Sequence, residues 1–249
     1  AEQRPGDAGN RPSPGDPGGI AGSLARRHEV ADDRLRQGEQ AAAAGALAAR
    51  KEGELPILVL FPEVKFDQAK FLARVDGMVK KYGYCTVVVS EGVKGADGKF
   101  LSDQGLRDAF GHAQLGGVAP VIASIVKEGL NLKYHWGVAD YLQRAARHIA
   151  SKTDVAQAYA TGKAAVELAI KGRNSVMPAI KRVSDKPYKW KIEVAELKNV
   201  ANKEKFMPRD FITADGFGIT EKCRKYLAPL MLGEDYPPYE NGLPQYVTL

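Results

Sequence analysis

With 249 residues, 44% of them hydrophobic and 27% charged, the chain is long enough for one large domain or two small ones, and no run approaches the 18 apolar residues of a transmembrane helix. The first residues lack a basic start followed by an apolar core, so no signal peptide is expected; the two cysteines, Cys85 and Cys223, stand outside any CxxC pair and fit a reducing cytoplasm. The net charge of +6 arises in residues 51–249 as scattered single lysines, which reads as a mildly basic surface open to anionic small substrates rather than as a nucleic-acid patch.

The N-terminal stretch differs in composition from the rest. Residues 1–50 hold seven arginines, seven acids and no Phe, Trp, Tyr or Lys. Without aromatics little apolar surface can be buried, so residues 1–22 are expected to be disordered. Ser23 to Gln40 can form a transient helix, but its charges lie on every side. Three readings of residues 1–40 stand: an interaction tail, a solvated linker, or a non-conforming terminus of the kind a GC-rich sequence gives in a wrong frame. The composition favours the last.

From residue 41 the pattern sharpens. Ala41 to Arg50 reads as a short helix. Pro56-Ile-Leu-Val-Leu-Phe61 is an apolar run of buried-strand length, closed by Pro62. Phe66 to Tyr82 places Phe71, Leu72, Val75, Met78 and Val79 at a helical period, with Asp67 near its start and Gly83 as its stop. Cys85-Thr-Val-Val-Val-Ser90 is a second buried strand, rich in β-branched residues. Strand, helix, strand in this order predicts a right-handed parallel βαβ unit. Helices are expected at Ser102–Phe110, Pro120–Lys127, Gly137–Ile149 and Asp154–Lys171. A strand pair is expected at Ser175–Arg182 and Trp190–Glu193. The tail from Pro229, rich in Pro, Tyr and Gly, should run over the surface. The fold class is α/β with a parallel sheet, and ligands of such sheets sit beyond the carboxyl ends of the strands.

That rule directs attention to Glu63 and to Ser90-Glu91-Gly92. A carboxylate after a buried strand and a proline can accept hydrogen bonds from ligand hydroxyls; an ordinary loop acid is the plainer alternative. The glycine-rich run from Ser90 to Lys99 lacks GxxxxGK[ST] spacing and reads as a loop rather than a phosphate cradle. His112 lies in Gly111-His-Ala-Gln-Leu-Gly-Gly117, a helix-to-loop turn, and shares no ligand spacing with His28, His135 or His148. Tyr141 and Arg144, three apart, share a helix face and could grip a phosphate monoester, since guanidinium bonds it bidentately; from these residues alone a surface arginine is the plainer reading. No Ser/His/Asp set, CxxC or HExxH occurs, and nothing identifies a general base.

Taken together, Leu60-Phe-Pro-Glu63-Val, Ser90-Glu-Gly92, Gly111-His-Ala-Gln-Leu-Gly-Gly117, Tyr141-Leu-Gln-Arg144, Ala150-Ser-Lys-Thr-Asp154 and Gly162-Lys-Ala-Ala-Val166 resemble the phosphofructokinase family, with the long bacterial pyrophosphate-dependent group most similar. Pro208-Arg-Asp-Phe-Ile-Thr with Asp215-Gly-Phe-Gly-Ile, and Gly233-Glu-Asp-Tyr-Pro-Pro, resemble the same group. The resemblance covers residues 41–249. It implies a parallel-sheet, Rossmann-like phosphofructokinase fold, in its C-terminal, fructose 6-phosphate-binding portion only.

It also implies roles. Glu63 matches the glutamate that binds the sugar hydroxyls of fructose 6-phosphate. Tyr141 and Arg144 match the [His/Tyr]-x-x-Arg element that holds the 6-phosphate. His112 begins a competing stretch with Leu115 where the arginine is needed, and is assigned to a group-specific insertion lining the same cleft. The implied reaction moves a phosphoryl group from pyrophosphate, or ATP, to the 1-hydroxyl of fructose 6-phosphate with Mg2+, in a cytoplasmic enzyme that is usually homo-oligomeric and has no nucleic-acid or membrane partner. The family's glycine-rich donor turn, its GGD-type magnesium element and its Thr-x-Asp base belong to its N-terminal half and are not matched here. Arg34-Leu-Arg-Gln-Gly-Glu-Gln40 stands where the family carries a Met-Gly-Arg substrate motif. The isolated chain is therefore expected to lack kinase activity, and a non-catalytic sugar-phosphate-binding fragment is the alternative.

Overall fold

The computed structural model describes residues 45–48, 54–107, 113–115, 117–138, 147–201 and 206–245, with backbone alone at 48, 103–107 and 113–115. Its centre is the strand β1 (Ile57–Leu60), which pairs in parallel with β2 (Thr86–Val89) in the register Ile57↔Thr86 to Leu60↔Val89. Helix α1 (Gln68–Tyr82) connects them. The helix begins where Asp67 accepts a hydrogen bond from the Lys70 N–H at 3.0 Å. It ends where Gly83 turns left-handed (φ 82°) and returns its N–H to the Val79 carbonyl. The expected βαβ unit is present, and both caps are the residues that the sequence offered.

β1 is apolar on both faces because both faces are covered. Leu58 and Leu60 point toward Phe71 and Val75 of α1 and toward Val118 and Ile122 of α2 (Val118–Leu130). Val59 and the following Phe61 point the other way. They meet Met207, Phe211, Ile212, Ile219 and Cys223 with Leu227. Successive residues of a strand alternate sides, so four residues in a row join two separate cores. The helices expected at Pro120–Lys127 and Asp154–Lys171 are α2 and, after it, α3 (Lys152–Ile170).

One expectation fails. Ser102–Phe110 was expected to be helical; instead β3 (Asp103–Arg107) pairs antiparallel with β4 (Ala113–Leu115). Gly105 lies in mid-run, where a helix would lose about 1 kcal/mol relative to alanine, while the returning strand supplies backbone partners. The helix expected over Gly137–Ile149 lies for the most part outside the described residues, which include only its two ends; Arg147–Ile149 is a 3₁₀ turn. Gly137 and Val138, weak helix formers, lie in irregular backbone. The expected helix at Ala41–Arg50 is described only as the turn Ala46–Ala48. The readings made for residues 1–40 lie outside the described residues.

The strand pair is longer than its sequence signal: β5 (Val176–Asp185) and β6 (Tyr188–Glu196) form a hairpin against α3. Arg182 fastens it. Its buried guanidinium donates to the Tyr226 carbonyl at 2.6 Å, pairs with Asp185 at 2.9 Å and lies 4.0 Å from the Tyr226 ring centre. Tyr226 belongs to α4 (Glu221–Leu227). The C-terminal segment folds back on the start of α3, where Lys152 N–H donates to Gly233 O at 3.0 Å and Ser151 Oγ donates to Leu230 O at 2.6 Å. It then closes with a small hairpin of β7 (Tyr239–Glu240) and β8 (Leu243–Pro244). Tyr239 and Leu243 are exposed there, as expected of a surface tail.

Gly233 has φ 83°, and a Cβ on it would lie 2.6 Å from the Lys152 Cβ. Gly233→Ala should therefore lower stability by about 1–3 kcal/mol in urea denaturation. The thiols give a second check. Burial pushes Cys85 up to about 11 and Cys223 up to about 12. Neither should react with an aromatic disulfide reagent at pH 8 in the native chain, and both should do so on denaturation.

Candidate functional site

β1 stops at Pro62, which has no N–H for the ladder. The chain turns there, with Val64 N–H donating to Phe61 O at 3.2 Å. Pro62 lies against Gly92 of the loop after β2, where a Cβ would meet the proline ring at 3.1 Å. The carboxyl ends of the two strands thus touch, and each carries a glutamate.

The two glutamates have different fates. Glu91 Oε1 accepts from the Val118 N–H at 3.4 Å. That places a carboxylate at the N-terminus of α2, whose own cap, Gly117, has no side chain to offer. Glu63 Oε1 accepts from the Met207 N–H at 2.8 Å, while its Oε2 is shielded from solvent and has no hydrogen-bond partner among the described residues. An ionised carboxylate only accepts hydrogen bonds, and a buried acceptor without a donor costs about 1–3 kcal/mol. Glu63 is therefore fixed through one oxygen and unsatisfied at the other among the described residues.

The glycine-rich run after Glu91 closes on itself. Lys94 bridges to Phe100, Gly95 N–H donates to Lys99 O at 2.9 Å, and Gly98 has φ 80°. It forms a tight hairpin turn. A shallow, open depression lies against the Phe61–Phe66 turn. Apolar residues such as Val64, Phe66 and Phe217 line it together with the charged Lys65, Asp67, Lys70 and Asp215, and Glu63 is not among its walls.

Segment 207–219 builds the wall around Glu63. Its turn carries the letters Thr213-Ala-Asp215, the same as the base element of the resembled family, but the structure gives them another task. Asp215 Oδ1 accepts from Thr213 Oγ1 at 2.6 Å and from Phe217 N–H at 3.2 Å; Oδ2 pairs with Arg74 of α1 at 3.1 Å. Burial opposes the charge on Asp215. The hydrogen bonds from Thr213 and Phe217 and the Arg74 guanidinium outweigh it and hold the carboxyl below its usual range. A carboxylate so engaged and so acidic makes a poor base.

Of the residues expected to bind substrate, Glu63 stands where the sequence put it. Tyr141, Arg144 and His112 lie outside the described residues. Arg147, three residues past Arg144, is committed elsewhere, with its guanidinium held by the carbonyl and, at 2.8 Å, the carboxylate of Asp235. The Met207 N–H went unforeseen, because a backbone donor has no sequence signature. The Asp-Gly pair at 215–216 did offer a turn signal. Among the described residues, no group of three from His, Cys, Asp and Glu could hold a metal ion. The described residues thus do not fit a magnesium site.

A parallel sheet with helices on both faces, carrying a carboxylate beyond a strand's carboxyl end, defines an α/β protein whose candidate site lies at the sheet edge. No family model matches the chain. It is 66% identical over 208 residues to the pyrophosphate–fructose 6-phosphate 1-phosphotransferase of Halomonas elongata, covering 84% of this chain and 50% of that protein. It is 65% identical over 208 residues to the protein so named from Methylococcus capsulatus, with the same coverage. The crystal structure of a pyrophosphate-dependent phosphofructokinase from Nitrosospira multiformis superimposes with a TM-score of 0.73 at 58% identity, over 93% of this chain and 56% of that one. The chain is thus similar to pyrophosphate-dependent phosphofructokinases along most of its own length, and it spans about half the length of the curated relatives it matches.

The lowered pKa of Asp215 makes its contribution to stability pH-dependent. A carboxyl more acidic folded than unfolded stabilises the fold above about pH 4 and loses that effect as pH falls through the folded value. Asp215→Asn should melt below the wild-type chain at pH 7, and the gap should narrow steadily from pH 5 to pH 3 in thermal scans followed by circular dichroism.

Proposed function

We propose that residues 41–249 form the sugar-phosphate-holding region of a phosphotransferase that moves a phosphoryl group from pyrophosphate to the 1-hydroxyl of fructose 6-phosphate. Glu63 accepts hydrogen bonds from the sugar hydroxyls. Arg144 and Tyr141 hold the 6-phosphate, with His112 beside them. The observation that carries this reading is Glu63 itself, a carboxylate at the tip of β1 with one oxygen fixed by Met207 and the other buried without a donor. The printed names of the relatives supply the substrate and the donor.

Phosphoryl transfer of this kind relies on positioning and on stabilising charge. This chain's share is to hold the acceptor sugar in place. Glu63 orients the ring through hydroxyls, and the guanidinium of Arg144 fixes the far phosphate, so that the 1-hydroxyl is presented in one direction. A second reading follows from Asp215: the carboxylate in the chain's Thr-x-Asp run is bound into a turn and paired with Arg74, so nothing described here supplies a base. By itself the chain would then bind the sugar phosphate without turning it over. Its two free cysteines suit a reducing cytoplasm.

Titration calorimetry of residues 1–249 with fructose 6-phosphate should show binding between micromolar and millimolar. Arg144→Ala should abolish it. Glu63→Gln should weaken it roughly 10- to 100-fold, the weight of a hydrogen bond to a charged group. A coupled assay with pyrophosphate and magnesium should show no fructose 1,6-bisphosphate. Turnover by this chain would refute the second reading, and absence of binding would refute both.

A further inference from the structure

Segment 207–219 holds the chain around Glu63 at three successive places. Val59 N–H, on the edge of β1 away from β2, donates to Phe217 O at 2.9 Å. Glu63 Oε1 receives the Met207 N–H at 2.8 Å. Gly216 lies so close to Val64 that a Cβ on it would stand 3.0 Å from Cγ1. The residue ahead of the bend, the glutamate itself and the residue after it all lean on one segment distant in sequence.

Backbone bonds from Thr213 N–H to Gly218 O and from Gly216 N–H to Thr213 O shape that segment, the Arg209 guanidinium donates to the Ile212 and Thr213 carbonyls, and Asp215 adds the side-chain ties that reach beyond it. Asp215 Oδ1 ties Thr213 Oγ1 to the Phe217 N–H across the turn. The Thr213 hydroxyl in turn accepts from the Gly218 N–H at 3.0 Å, and Ile212 bridges to Ile219. Asp215 Oδ2 then fastens the turn to Arg74 on α1 at 3.1 Å. α1 begins five residues after Glu63, so the turn is tied to both ends of the bend that carries the glutamate. Arg74 and Asp215 are each about half exposed, 50% and 45%. An exposed ion pair of this kind adds little to global stability, so its main effect is local.

We propose that Asp215 and Arg74 are a positioning pair for Glu63. They hold segment 207–219 so that the Met207 N–H occupies Oε1 and leaves Oε2 as the oxygen that meets a sugar hydroxyl. The inference rests on the reading of Glu63 as the sugar acceptor. It adds two residues that touch no substrate and that bear on recognition of the sugar, not of its phosphate. Loss of the pair lets the turn shift, the fixed oxygen loses its donor, and the carboxylate rotates among orientations in which the sugar is held less well.

Calorimetry on residues 1–249 tests this with two probes, fructose 6-phosphate and inorganic phosphate. Asp215→Asn and Arg74→Met should each weaken fructose 6-phosphate on the order of tenfold, the weight of about one hydrogen bond, and leave inorganic phosphate unchanged. Arg74→Lys should restore most of the loss. Combining Asp215→Asn with Glu63→Gln should cost little more than Glu63→Gln alone, because coupled residues are not additive. Equal losses for both probes, or an additive double variant, would mean a merely structural role and overturn the proposal. So would variants that bind the sugar phosphate as tightly as the wild type. A wild-type chain that binds inorganic phosphate but not fructose 6-phosphate would instead overturn the reading of Glu63, and this inference with it. Arg74→Met, on an exposed side chain, keeps the test open if Asp215→Asn does not fold.

Discussion

β1 has to be buried on both faces and satisfied along both edges. Its side chains alternate, Leu58 and Leu60 toward α1 and α2, Val59 and Phe61 toward segment 207–230. Each large apolar side chain so enclosed contributes about 1.5–3 kcal/mol. One edge is paired with β2, and the other is reached by the Phe217 carbonyl. One cover follows directly in the chain; the other arrives from more than a hundred residues away. The bend at Pro62 lies where the two covers meet, and that is why Glu63 stands between them.

Two glutamates at two touching strand tips show how surroundings divide identical chemistry. Glu91 is taken up by the N-terminus of α2, where a carboxylate replaces the cap that Gly117 cannot provide. Glu63 meets a single N–H and keeps an oxygen unfilled. Asp215 is a third outcome, with both oxygens engaged and its acidity raised by the donors around it. A carboxylate in this region is a ligand group only where the fold withholds donors from it. In the proposed function, a group held by one backbone N–H has few orientations to lose when a hydroxyl binds.

The two motifs near the C-terminus act on different parts of the fold. Segment 207–219 surrounds the Glu63 bend. The Gly233-Glu-Asp run packs on the start of α3, with Gly233 accepting from Lys152 and Asp235 gripping Arg147. Neither supplies a donor to the unfilled oxygen of Glu63. Both hold the segments that do the binding in the proposed function, and in both a left-handed glycine, Gly216 or Gly233, allows an approach that a side chain would block.

Much of this was legible in the sequence because it is local. Asp67 and Gly83 bound α1, the apolar runs of β1 and β2 state their burial, and the resemblance around Pro62-Glu63 names the site. The helix expected at Ser102–Phe110 was misread, since a short run with Gly105 at its centre is decided by its antiparallel partner and not by its own preference. The sequence by itself determined which segments could be strand or helix, that both faces of β1 had to be covered, and that an acid would follow β1. Only the tertiary structure decided which acid stays unfilled, because that depends on where the backbone N–H groups of Met207 and Val118 fall, and a backbone donor is the same in every residue but proline.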